Sequence, residues 1–63
     1  MTQKELLYFE DAIGHEESII KIINDSIHKL QDEKLISFMN NELIVHENLK
    51  TNLINTLGEK ANG

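Results

Sequence analysis

Three residues of this chain have the types and spacing to do chemistry. Glu42 and His46 stand about one helical turn apart, so on a helix the carboxylate and the imidazole project from one face. Glu16 interrupts an apolar series between Ile13 and Ile20, where burying an unpaired carboxylate would cost several kcal/mol, so it requires a partner. Two copies of the set would offer four carboxylates and two imidazoles, oxygen and nitrogen donors that suit iron or manganese. A plainer chemistry is available to the same residues. Glu16 hydrogen-bonds His46, and the polar layer fixes register and oligomer state at a cost in stability. On the residues alone both readings stay open.

No other reaction finds its residues here. The chain has no nucleophile placed beside a base, no phosphate-cradling glycine loop and no cysteine at all, so hydrolase and transferase chemistry, catalytic residues and organic cofactors are not expected. His15 and His28 fall on outward positions, and Glu10, Asp11 and Glu17 read as a solvated acidic rim. Gly14, inside a helical pattern, marks either a close helix approach or a tolerated weak spot.

The elements that must position these residues are two helices. Leu6, Phe9, Ile13, Glu16, Ile20, Ile23, Ile27 and Leu30 recur in steps of three and four, a heptad seam that predicts helix 1 over about residues 3–30. Thr2 with Glu5 three residues later predicts a capping box at its start. Continued past Leu30, that heptad would place Lys34, Ser37, Asn41, Asn48 and Thr51 in the seam. A new stripe runs instead through Leu35, Met39, Glu42, His46, Leu49, Leu53 and Leu57, widened by Ile36, Phe38, Leu43, Val45 and Ile54, and predicts helix 2 over about 33–57.

The phase break predicts a tight turn at 31–32, with Asp32 capping helix 2. Because the turn contains neither Gly nor Pro, one uninterrupted helix of about 55 residues is the alternative, against which the break itself argues. Gly58 is expected to close helix 2 in the left-handed conformation and leave a frayed tail over 58–63. Glu17 with Lys21, and Asp25 with Lys29, are expected as ion pairs on the outer face. An antiparallel hairpin turning at 31–32 sets Glu16 level with His46 and Glu47.

A chain of 63 residues makes a single domain, 1–63, whose one core rarely supplies more than ~3–5 kcal/mol. With no cysteine for a disulfide, the means of support narrow to self-association or a His/carboxylate metal site, and self-association is the simpler because the apolar faces are wider than one helix pair can cover. The fold class expected is therefore all-α: an antiparallel two-helix hairpin that dimerises into a four-helix bundle, with crossing angles near ~20°. The formal charge of −5, with only 6 Lys and Arg and no basic stripe, excludes nucleic acid and anionic membrane surfaces as expected partners. No apolar run approaches the ~20 residues of a membrane span.

The segment Lys4-Glu5-Leu6-Leu7-Tyr8-Phe9-Glu10-Asp11, the turn Leu30-Gln31-Asp32 followed by Leu35, and the single His46 of helix 2 resemble the spore coat protein F family, from about Lys4 to Leu57. The resemblance implies a ferritin-like helical hairpin in an endospore-forming bacterium, located in the mother-cell cytoplasm or the spore coat, with other coat proteins as possible partners and no assigned catalytic activity. Coat F proteins are generally longer, and this chain lacks their additional helices. The ferritin-like frame sharpens the metal reading of Glu16, Glu42 and His46, since di-iron and di-manganese bundles use such ligands. Those bundles space Glu and His by three residues, whereas Glu42 and His46 are four apart.

Overall fold

The computed structural model of the chain describes residues 1–62. They form two α-helices and no strand: α1, Gln3–Ile27, and α2, Glu33–Asn62. The helices pack against each other as an antiparallel hairpin 46 Å long and only 15 by 11 Å across.

The start of α1 is set by the capping box. Thr2 Oγ1 accepts from the Glu5 backbone N–H at 3.1 Å, and the Glu5 carboxylate accepts from the Thr2 N–H at 2.8 Å. Two of the helix's unpaired opening donors are thereby satisfied. These hydrogen bonds hold the Glu5 carboxyl below its ordinary value. A group with a depressed folded pKa contributes stability above its unfolded pKa, and that contribution disappears as pH falls through the folded one. Acid titration followed by helical circular dichroism is therefore expected to show Glu5→Gln losing less helix than the parent on going from neutral to acidic pH.

At its other end α1 stops at Ile27, three residues short of the sequence expectation of 30. The last turn tightens: the Lys29 N–H donates to the Ser26 carbonyl at 3.0 Å and the Leu30 N–H to the Ile27 carbonyl at 3.4 Å, both bonds of the three-residue type that finish a helix. The reversal then uses five residues, 28–32, in place of the two expected, and no residue in the described chain takes a positive φ. Without a glycine to turn sharply, the chain spends more length at ordinary backbone angles. Asp32 then starts α2: its Oδ1 accepts from the N–H groups of Lys34 at 2.9 Å and Leu35 at 3.2 Å, and its carbonyl accepts from Ile36 at 3.0 Å.

α2 passes through Gly58 to Asn62, so the expected end at Leu57 is also corrected. Gly58 keeps a negative φ, and the residues expected to fray are helical as far as they are described, Gly63 lying outside the described residues. Lys60 in the last turn complements the negative end of the helix dipole. A Cβ built on Gly58 meets nothing within 4 Å. Gly58→Ala is therefore expected to raise stability by up to ~1 kcal/mol in urea unfolding, whereas a left-handed cap at this position would make the same change destabilising.

Along α1 the half-buried and buried positions follow the predicted seam, from Leu6 and Phe9 through Ile23 to Ile27. On α2 the expected stripe holds at Met39, Glu42, His46, Leu53 and Leu57 and fails at two positions. Ile36, Met39, Leu43, His46, Lys50, Leu53 and Leu57 turn inward, while Leu35 and Leu49, expected there, are 51% and 43% exposed. Lys50 can occupy an inward position because a lysine's aliphatic stem can cover apolar surface while its ammonium reaches water. Ile23, at 5% exposure, is the one fully buried hydrophobic residue among those described.

Candidate functional site

The polar layer sits at mid-hairpin, where α1 brings Glu16 and α2 brings His46 to the same level. Each occupies a seam position, so each side chain is aimed at the other helix by helical periodicity alone. His46 Nδ1 lies 2.5 Å from Glu16 Oε2, across thirty residues of sequence. The Glu16 side chain is 13% exposed and that of His46 21%. With its Nδ1 proton donated to Glu16, the ring holds one orientation, the carboxylate is paired, and no buried side-chain polar atom among the described residues lacks a partner.

Glu42 stands one turn before His46, its Oε2 3.6 Å from Nε2 and its side chain 39% exposed. At that distance the two groups are neighbours and not hydrogen-bonded. Glu16 thus holds the imidazole at Nδ1, while Nε2 lies beside the more exposed Glu42. Histidine ligands are held in this way in metal sites, one nitrogen anchored by a carboxylate and the other free to bind. One chain does not complete such a site: among the described residues, no group of three or more His, Asp or Glu converges on a point that could hold a metal ion.

The remaining polar residues stay outside the layer. His15 and His28 are exposed, as are Glu10, Asp11 and Glu17. Gly14 is exposed too, with open space where a Cβ would stand, so no close approach within the hairpin explains it. On the outer face Lys21 pairs with Asp25 at 2.9 Å, in place of the expected Glu17–Lys21 and Asp25–Lys29 pairs. The hydrogen bond from Lys21 and its charge hold the Asp25 carboxyl below its ordinary value. All of these side chains lie in solvent, where alternative i,i+4 partners differ by only a few tenths of a kcal/mol, so the sequence could not choose among them.

Comparisons with family models, curated proteins and solved structures find no match for this chain. The layer must therefore be read from its own geometry. Glu16→Leu alone strands a half-buried imidazole N–H and is expected to cost ~1–3 kcal/mol in urea unfolding. Glu16→Leu combined with His46→Leu replaces the pair by apolar side chains and is expected to be as stable as the parent or more so. A double variant less stable than the Glu16 variant would show that the pair does more than satisfy itself.

Proposed function

We propose that this chain is a small, non-enzymatic structural or assembly protein that completes its fold by pairing with a second copy of itself, two hairpins making one four-helix bundle. The observation that carries this reading is the poverty of the single-chain core. Ile23 alone is buried among its described hydrophobic residues, while Leu7, Tyr8, Ile22, Leu35, Phe38, Ile44, Val45, Leu49 and Ile54 are exposed. Apolar surface of this extent on so small a chain destabilises a solitary hairpin and drives association. Work in or around a spore coat is the specific role suggested by the resemblance of the Lys4–Asp11 and Leu30–Leu35 segments to the coat F family.

The test is the mass in solution. Sedimentation velocity over a dilution series through the micromolar range is expected to show a two-chain species, and a folded single chain throughout that range would refute the reading.

A second reading is favoured by the anchored imidazole. With Nδ1 held by Glu16, His46 Nε2 and Glu42 remain as donors, and a second copy docked so that its own Glu42 and His46 came beside them would give a shared site for iron or manganese. Fe(II) or Mn(II) added to the purified protein, followed by desalting and metal analysis, tests it. Stoichiometric retention lost in His46→Leu supports the shared site, and retention of only traces counts against it.

A further inference from the structure

Tyr8, Ile22, Phe38, Val45 and Leu49, all exposed, share one face of the pair, while the exposed Leu7, Ile44 and Ile54 lie off it. At ~100° per residue, Tyr8, Ala12, His15, Ile19 and Ile22 line one flank of the α1 seam. Phe38, Glu42, Val45, Leu49 and Asn52 line the flank of α2 on the same side of the antiparallel pair. The groove between the helices on this side is lined by Tyr8, Phe9, Ala12 and Leu53, all apolar or aromatic. On the opposite side the groove is lined by Ile20, Glu47, Lys50, Thr51 and Ile54, a mixed surface of two isoleucines and three polar residues.

The chain keeps more surface than a compact protein of its mass. A compact monomer of 7.3 kDa is expected to expose ~4,200 Å², and this chain exposes 4967 Å². The excess belongs to a rod 46 Å long and 15 by 11 Å across, a shape that a second copy packed along its length would make more compact.

Both stripes are self-complementary about a single level. On α1, Tyr8 and Ile22 stand equally far from His15, and Ala12 and Ile19 nearly so. On α2, Val45 and Leu49, then Glu42 and Asn52, are symmetric about residue 47. These two centres are level with each other, because Glu16 meets His46 there. A two-fold axis through that level, perpendicular to the helices, would set Val45 on the partner's Leu49 and Tyr8 on the partner's Ile22. Glu42, the one carboxylate on the face, would meet the partner's Asn52, whose amide can donate to it. His15 would meet its own copy, one ring donating to the other. With the two turns at the same end, α1 would cover the partner's α2, and Glu42 would face the partner's Ile19 without a hydrogen bond, a costly burial.

We infer that a second copy docks on this face with its turn at the opposite end, α2 on α2 and α1 on α1, and that Asn52 of each copy completes Glu42 of the other. This arrangement rests on the self-association proposed above. The chain has no cysteine, so Lys34→Cys places a spin label only at the exposed start of α2. Dipolar distance measurement on the labelled protein is expected to give on the order of 40 Å between labels, from a rise of ~1.5 Å per residue. A dimer with labels closer than ~25 Å, as helix spacings of ~8–10 Å would dictate for turns at the same end, overturns the arrangement while leaving self-association intact. A sedimenting monomer overturns both.

The Glu42 contact has its own readout. Asn52→Asp sets carboxylates against each other at two symmetric places and is expected to weaken the dimer at least ~10-fold. Adding Glu42→Gln is expected to restore most of that affinity. Weakening that Glu42→Gln fails to rescue would show that residues 42 and 52 do not meet.

Discussion

Ile23→Ala is expected to leave the protein largely unfolded at room temperature. Truncating a buried isoleucine to alanine costs ~2–5 kcal/mol. A single core in a chain of this size holds ~3–5 kcal/mol, so the loss is comparable with the whole of it. Ile23 has this leverage because it is the one side chain that α2 covers fully, at 5% exposure, while its neighbour Ile22 is 62% exposed. Helical circular dichroism through a urea titration checks the expectation. A midpoint for Ile23→Ala close to that of the parent would mean that the hairpin core is not where the stability resides.

Val45→Glu is expected to abolish pairing at micromolar concentration. In a solitary hairpin the substitution would be nearly silent, within about 0.5 kcal/mol, because Val45 is 49% exposed. In the pair it places a carboxylate against the partner's Leu49 on each side of the axis. Each such burial costs several kcal/mol, and with two copies and ~1.4 kcal/mol per tenfold the dissociation constant rises at least ~100-fold. The helical signal falls with it, since an unpaired hairpin keeps only the marginal core described above. Sedimentation and circular dichroism on one sample separate the cases. A dissociated yet fully helical Val45→Glu would show that the hairpin folds alone.

What was legible in the sequence was mostly local. The Thr2–Glu5 box, the Asp32 cap and the seam of α1 each depend on residues within a turn or two of one another, where spacing dictates contact. The Glu16–His46 pair was also legible, because a seam carboxylate must find a partner and the hairpin leaves few candidates at its level. The inward face of α2 was legible only in part: Met39, His46, Leu53 and Leu57 turn inward as expected, and Leu35 and Leu49 do not. Two adjacent stripes, one through Ile36, Met39 and Leu43 and the other through Leu35, Phe38 and Leu49, have nearly equal apolar character. Periodicity cannot tell which meets α1. Placing Leu49 inward in preference to Lys50 followed hydrophobicity and missed that a lysine stem packs as well as a leucine.

Helix ends were read less well than helix faces. Gly58 has the freedom for a left-handed cap but does not require one, and with nothing near its Cβ position α2 simply continues. The turn at 28–32 was set too short because a two-residue reversal needs backbone angles that the Gln31-Asp32 pair does not adopt here. Of the candidate metal ligands, the hairpin brings Glu16 and His46 together and leaves Glu42 beside them, half exposed. Completion of that set would depend on a second chain, which no single sequence displays.

If folding and pairing are one equilibrium, thermal stability must depend on concentration, because mass action favours the associated state. The most direct measurement is the midpoint of thermal unfolding, followed by circular dichroism, across a hundredfold dilution of the unmodified protein. A midpoint that rises steadily with concentration is the predicted result. A midpoint that stays constant across the series would show a hairpin that stands by itself.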